Sequence, residues 1–109
     1  MRRITVFLPV GTEEEIQAAA SVREWLGAEL AGFTMSLFDP PVFEGYWRNA
    51  SGKLILDLTT LLVIDVPFGD ELQYFIRLLS AEISLRYAQF GSAQDATGIA
   101  VLDLLLTTY

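Results

Sequence analysis

Two aspartates on strand-like segments are the residues of this sequence best suited to acid–base chemistry. Asp65 and Asp103 each interrupt an apolar run that alternates with period two, so each is expected on a sheet surface. A carboxylate in such a half-apolar setting holds its proton more tightly and could act as a general base. Level positions on strands that flank a common neighbour would separate them by ~10 Å, near the upper limit for an inverting carboxylate pair. Nothing else suggests a glycosidase, and the simpler interpretation is two acids at a sheet surface or subunit boundary.

The most varied local cluster is Tyr46-Trp47-Arg48, with Glu44 and Asp39 close by in the sequence. Trp47 could stack on a planar ligand while Arg48 holds a carboxylate of that ligand. In the alternative interpretation, Trp47 fills one end of the core and Arg48 pairs with a nearby acid. Aromatic residues at strand ends most often pack, which favours the structural interpretation.

The composition argues against several classes of function. The chain has no cysteine and no histidine, so it lacks a thiolate nucleophile, a Cys-type metal site and the commonest general base. It contains no Gly-rich phosphate loop, serine-nucleophile motif or metal-ligand spacing. Its net charge of −7 disfavours nucleic acid and anionic membrane surfaces, because both need a basic patch. The sequence therefore predicts no cofactor and no metal, and it does not define a reaction.

Length and hydrophobicity predict one folded domain over residues 1–109. A chain of 109 residues that is 52% hydrophobic can build a single core and is not expected to be disordered. The first ten residues faintly resemble a signal peptide, but glutamates at 13–15 stand where a cleavage region should be. No apolar run approaches the ~18 residues that a membrane span needs. We therefore expect a cytoplasmic protein.

A long β-hairpin over residues 32–66 is the centre of the predicted fold. Residues 33–38 alternate as a strand with one buried face. Asp39-Pro40-Pro41 interrupts this strand and places it at a sheet edge, because proline cannot donate to a ladder. Residues 43–48 then resume an extended, aromatic-rich path.

The return half of the hairpin begins after Asn49-Ala50-Ser51-Gly52, whose glycine can take the positive φ of a tight turn. Residues 53–66 follow as one long or two short strands. Residues 61–64 are apolar on both faces, which is typical of a central strand.

One strand and one helix precede the hairpin. Residues 3–10 alternate as a strand, and a helix is predicted over residues 13–30. Thr12 and Glu15 have the spacing of a capping box, and Gly32 is a plausible C-cap.

A second helix and a last strand follow the hairpin. The helix runs from an N-cap at Asp70 to about Gln89, a polar linker spans residues 91–98, and the strand spans residues 99–107. Beside its core face, this helix has a second apolar stripe that predicts a further packing surface: Tyr74, Leu78 and Leu85.

This β-α-β-β-α-β order predicts a ferredoxin-like α+β sandwich, in which two helices cover one face of a four-stranded antiparallel sheet. The right-handed crossover rule places the first and third strands centrally and the second and fourth at the edges.

The whole chain resembles a family of small bacterial ferredoxin-like proteins of unknown function. The resemblance rests on Gly32-Phe33-Thr34, on Gly45-Tyr46-Trp47-Arg48 and on the turn at Gly52, followed by an apolar strand and a long helix. It implies the fold and brings no catalytic residue. It also permits comparison with dimeric α+β barrels, which share this fold and pair through the open sheet face.

Strand parity divides the side chains between two sheet faces. The face under the helices should carry Ile4, Val6, Leu8, Met35, Leu37, Leu62, Ile64, Leu102 and Leu104. The open face should carry Thr5, Phe7, Thr34, Ser36, Phe38, Ile55, Asp57, Val63, Asp65, Val101, Asp103 and Leu105. This open face is too apolar for a freely solvated surface, which predicts an interface or a ligand groove.

Three functional hypotheses follow. The first is a non-enzymatic domain that forms a homodimer through its open sheet face. The second is a binding module, or a cofactor-independent enzyme, for a small apolar or aromatic molecule. Its candidate residues are Phe7, Phe38, Tyr46, Trp47, Arg48, Asp57 and Asp65. The third is an accessory subunit that docks on another protein through the last strand or the second stripe of the second helix.

Overall fold

A computed structural model describes residues 2–66 and 71–91, together with the backbone of residues 104–108. These residues form two helices and five strands, in the order β1 (Arg2–Pro9), α1 (Glu13–Glu29), β2 (Thr34–Met35), β3 (Phe43–Arg48), β4 (Leu54–Val66), α2 (Glu71–Gln89) and β5 (Leu104–Thr108). The predicted N-cap at Asp70, the linker from residue 92 onward and residues 99–103 of the predicted last strand lie outside the described residues.

The sheet has the strand order β2-β4-β1-β5, and β3 pairs with β4 as well. All of these pairs are antiparallel. The arrangement is the predicted ferredoxin-like α+β sandwich, with β1 and β4 in the centre. The two central strands are paired from Arg2↔Val66 to Pro9↔Thr59.

The core lies between the sheet and the two helices. The alternate residues Ile4, Val6 and Leu8 of β1 are fully buried, as the parity predicted. Their partners on β4 include Leu62 and Ile64, which are buried too. The helices complete the core with residues at helical spacing, namely Ala18, Val22 and Leu26 from α1 and Leu79, Ile83 and Tyr87 from α2.

Helix α1 begins with the predicted capping box. The Glu15 amide donates to Thr12 Oγ1 over 3.2 Å, and the Thr12 amide donates to Glu15 Oε1 over 3.1 Å. Both bonds satisfy amides that the first helical turn leaves without partners. The predicted C-cap at Gly32 is wrong. Leu30 caps the helix in an extended conformation, with its amide bonded to the Leu26 carbonyl.

The edge strand predicted over residues 33–38 is much shorter, and its pairing with β4 becomes irregular at Ser36, where the Ser36 amide still donates to the Leu61 carbonyl over 2.8 Å. The Leu61 amide donates to Ser36 Oγ over 2.8 Å instead of to the Ser36 carbonyl. That carbonyl accepts a bond from the Thr60 hydroxyl, over 2.9 Å. Local side-chain bonds of this kind compete with regular strand pairing, so only Thr34 and Met35 remain in β2.

The loss of period two reverses the predicted positions of the next two residues. Leu37, predicted in the core, is 77% exposed. Phe38, predicted on the open face, is 4% exposed and packs in a small cluster with Val10 and Ala19. The guanidinium of Arg23 lies over its ring at 4.9 Å. The open-face placement of Phe38 is therefore wrong.

Strand β4 extends well beyond the end of β1, the strand that pairs with one of its two edges. Its pairing with β1 ends at Thr59, and the Val10 amide makes one more bond, to the Leu58 carbonyl. Among the described residues, 54–57 are paired with β3 alone. We call residues 43–58 the hairpin arm.

The tip of the hairpin arm has the predicted turn. The Gly52 amide donates to the Asn49 carbonyl over 2.9 Å, and the Asn49 amide donates to the Lys53 carbonyl over 3.0 Å. Gly52 has a φ of +82°, which glycine adopts without the steric cost of a side chain. A three-residue connection with a glycine at its positive-φ position is a common type of hairpin turn.

Candidate functional site

The two faces of the hairpin arm carry different side chains. Directly opposite residues of an antiparallel pair share a face. One face therefore holds the pairs Phe43↔Thr59, Gly45↔Asp57 and Trp47↔Ile55, and it continues the open face of the main sheet. The other face holds the pairs Glu44↔Leu58, Tyr46↔Leu56 and Arg48↔Leu54.

Trp47 is the largest side chain on the open side of the arm, and it is half exposed. Its indole nitrogen donates a hydrogen bond to Asp57 Oδ2. This bond orients the indole and gives the carboxylate a partner. Because half of its surface is exposed, the ring does not fill one end of the core. The structural interpretation of Trp47 made from the sequence is wrong for this reason.

On the other side of the arm, the phenol of Tyr46 lies between the acidic Glu44 and the basic Arg48. The Tyr46 hydroxyl donates to Glu44 Oε2, and Arg48 Nη1 donates to the Gly52 carbonyl over 2.9 Å. The hydrogen bond to Glu44, and secondly the charge of that carboxylate, raise the pKa of Tyr46. Leu54 and Leu56, beside these residues, are exposed.

Asp65 is tied to an arginine on the neighbouring central strand. Arg3 Nε donates to Asp65 Oδ1 over 2.9 Å, and Arg3 Nη2 donates to Oδ2 over 3.2 Å. The two residues are directly opposite each other, and both side chains are about two-fifths exposed. A carboxylate held by both of its oxygens in this way has the geometry of a surface ion pair. Asp103, its predicted partner in acid–base chemistry, lies outside the described residues.

The open face of the main sheet continues from this ion pair toward the arm. Phe7 is exposed there and stands opposite Leu61, and Thr5 stands opposite Val63. The next pair is Pro9↔Thr59, and Thr59 in turn faces Phe43 on the arm. We call the apolar members of this surface the open band: Phe7, Phe43, Trp47, Ile55, Leu61 and Val63.

The structure divides the seven residues that the sequence proposed as one ligand site. Four of them share the open side of the sheet and arm: Phe7, Trp47, Asp57 and Asp65. Tyr46 and Arg48 lie on the other side of the arm, because neighbouring residues of a strand point to opposite faces. Phe38 is in the core.

Two features of this region were missed from the sequence. Arg3 was not assigned as the partner of Asp65, although both lie near the ends of strands predicted to be adjacent. Leu54 and Leu56 share the parity of the core residues, yet both are exposed. The length of the predicted strands could have indicated this exposure. The strand over residues 53–66 is longer than the eight-residue strand predicted over residues 3–10, so its first residues have no partner there.

A second exposed apolar surface lies on α2. Tyr74, Leu78 and Leu85 are all exposed. At 100° per residue they are on the side of the helix away from Ile83 and Tyr87, which contact the core. This is the second stripe that the sequence predicted.

Within residues 2–66 and 71–91, no three acidic side chains converge in a way that could hold a metal ion. In the same part of the chain, neither helix has the length and apolarity to cross a membrane.

No protein-family model matches the chain, and no curated protein matches its sequence. The resemblance to small bacterial ferredoxin-like proteins stays a prediction.

Proposed function

We propose that this protein is a non-enzymatic domain that forms a homodimer through the open face of its sheet. The single observation that carries the proposal is the open band, a row of apolar side chains along β4 and the arm, which Thr59 and Asp57 interrupt on β4. From Val63 to Ile55 this row is roughly 27 Å long at the rise of an extended strand. Exposed apolar surfaces of this extent mark interaction sites.

The charges on this face support its burial in an interface. Asp65 is paired with Arg3, and Asp57 accepts the hydrogen bond of the Trp47 indole. Charged groups that already have partners lose less free energy when a second surface displaces water from them. The rest of the band is apolar, as the cores of subunit interfaces are.

The cellular setting belongs to the same proposal. The family resemblance supports a cytoplasmic protein of bacteria.

A second candidate function is favoured by the exposed stripe of Tyr74, Leu78 and Leu85 on α2. An accessory subunit could use this stripe to dock on another protein, by the helix-in-groove mode. This surface is on the helix side of the fold, so it leaves the open face free.

The test is a pair of matched substitutions that place a charge on each surface. Phe7→Glu puts a carboxylate in the open band and is expected to convert a dimer of about 24 kDa, twice the chain mass of 12.1 kDa, into a monomer. Tyr74→Glu makes the same kind of change on α2 and should leave the dimer intact. Light scattering gives the masses, and circular dichroism shows that both variants are folded. A Phe7→Glu variant that stays dimeric would overturn the proposal.

A further inference from the structure

The outer edge of β3 has no neighbouring strand in the part of the chain that the structure describes. Strand β2 occupies the same side of β4, but it is paired near Leu62 and Val63, beyond the base of the arm. An open edge presents backbone N–H and C=O groups to any strand that can approach. No proline interrupts residues 43–48, so this edge can accept a full ladder.

We propose that β3 pairs, antiparallel, with β3 of a second copy of this chain, across a two-fold axis at Tyr46. In this register Tyr46 faces its own symmetry mate. Each Glu44 then stands opposite Arg48 of the second copy, and each Gly45 stands opposite Trp47.

The charges of β3 are self-complementary in this register. Glu44 and Arg48 are both two residues from Tyr46, and they share one face of the arm. The two-fold axis therefore creates two identical Glu–Arg pairs between the copies. Within one chain, Arg48 uses Nη1 for the Gly52 carbonyl, and a guanidinium has further N–H donors for a second partner. Opposite charges that face each other across antiparallel strands stabilise the pairing.

Shape favours the same register on the other face. Trp47 is half exposed and held in place by Asp57. Gly45, with no side chain, leaves room for the indole of the second copy beside it. Aromatic side chains that cover a glycine across a strand pair are a recognised stabilising arrangement.

The surroundings of β3 also suit a second arm. With the strands antiparallel, the tip of each arm reaches the base of the other. Val42, immediately before β3, is exposed there, and Ala50 of the second copy comes next to it. The contact is isologous, as expected for a closed dimer. Of the open band it covers Trp47, and it leaves the members on the main sheet, such as Phe7, Leu61 and Val63, uncovered. This second interface therefore stands or falls independently of the proposed open-face dimer.

Charge reversal tests the pairing between Glu44 and Arg48. Glu44→Arg makes the edge wholly basic and Arg48→Glu makes it wholly acidic, so each variant alone should self-associate about tenfold more weakly than the native chain. An equimolar mixture should recover the association, because each acidic edge then meets a basic one. Sedimentation equilibrium measures all three samples. A mixture that associates no better than its components overturns the proposal.

A cysteine scan tests the register. Residues directly opposite each other in an antiparallel pair have Cα atoms about 4.5–5.5 Å apart, within the range of a disulfide. The chain has no cysteine, so Tyr46→Cys should give covalent dimers under mild oxidation. Leu56→Cys is the matched control, because it is the exposed cross-strand partner of Tyr46 and would be ~14 Å from its symmetry mate. Equal crosslinking of both variants, none in either, or preferential crosslinking through Gly45→Cys contradicts the inference.

The two interfaces are separated by comparing Phe7→Glu with Glu44→Arg. If Phe7→Glu alone lowers the solution mass, the open-face dimer holds and the β3 pairing fails. If Glu44→Arg alone lowers it, the reverse is true. If each lowers it from a larger assembly, both interfaces exist, and a native chain that is monomeric at all concentrations overturns both.

Discussion

Trp47 and Asp57 are hydrogen-bonded diagonally across the hairpin arm, although neither faces the other in the strand register. Trp47 faces Ile55, and Asp57 faces Gly45. The largest ring of the open band is therefore fixed at the surface and presents its apolar area to a partner.

Removal of the Asp57 carboxylate should loosen this ring without unfolding the protein. In a Trp25→Phe background, which leaves Trp47 as the one tryptophan, Asp57→Ala should raise the acrylamide quenching constant of the fluorescence. Glu29→Ala removes an exposed carboxylate at the end of α1, away from the arm; it is the control and should leave that constant unchanged. Equal effects of the two changes would show that Asp57 does not hold the indole.

The reversed positions of Leu37 and Phe38 predict a large difference in stability between two neighbouring truncations. Phe38→Ala removes a buried ring and should lower the free energy of unfolding by about 3–5 kcal/mol. Leu37→Ala removes an exposed side chain and should change it by less than about 0.5 kcal/mol. Urea unfolding of both variants checks this, and a regular strand over residues 33–38 would give the opposite order.

The displaced ladder at Ser36 makes that hydroxyl a structural group. Ser36→Ala leaves the Leu61 amide without its acceptor and should cost about 1–3 kcal/mol of unfolding free energy. Ser51→Ala, in the exposed turn, is the control and should cost less than about 1 kcal/mol. If Ser36→Ala is as mild as its control, the backbone carbonyl has resumed the bond to Leu61.

Tyr87 should make the fold sensitive to alkali. Its phenol donates to the Pro9 carbonyl over 2.8 Å, and burial, with a smaller contribution from the charge of Glu15, raises the pKa of Tyr87 well above that of a free tyrosine. An unfolded tyrosine ionises near pH 10 while the folded one keeps its proton. The stabilisation is therefore complete below about pH 10 and declines as the pH rises above it.

Denaturant unfolding between pH 8 and pH 11 would measure this decline. The native chain should lose up to about 1.4 kcal/mol per pH unit above pH 10 from this one group. Tyr87→Phe should be less stable at pH 8, because the Pro9 carbonyl loses its donor, but its stability should fall less steeply with pH. Parallel curves for the two proteins would contradict the assignment.

The fold was predictable from the sequence because its strongest signals are local. The run at residues 61–64 is apolar on both faces, which identified β4 as central, and Gly52 identified the turn. Thr12 and Glu15 identified the start of α1. Each of these signals depends on a few consecutive residues whose conformational preferences agree with the final structure.

The composition of the candidate site was not predictable, because it depends on register and on exceptions to period two. No feature of the neighbouring sequence shows that the Ser36 hydroxyl, and not the Ser36 carbonyl, accepts the bond from the Leu61 amide. Beyond this irregular pairing, Phe38 lies in the core. The division of Trp47 from Arg48 is the exception, because it follows from strand alternation alone and could have been predicted. The hydrogen bond from Trp47 to Asp57 could be predicted only if the pairing of residue 47 with residue 55 were known.

The solution mass of the native chain tests the central claim most directly. Light scattering across a range of concentrations should give a dimer of about 24 kDa, twice the 12.1 kDa chain, or a larger even assembly if β3 also pairs. The Phe7→Glu variant should have half the mass of the native protein at the same concentration. A constant mass of 12.1 kDa for the native chain, or a Phe7→Glu variant of unchanged mass, would contradict self-association through the open face.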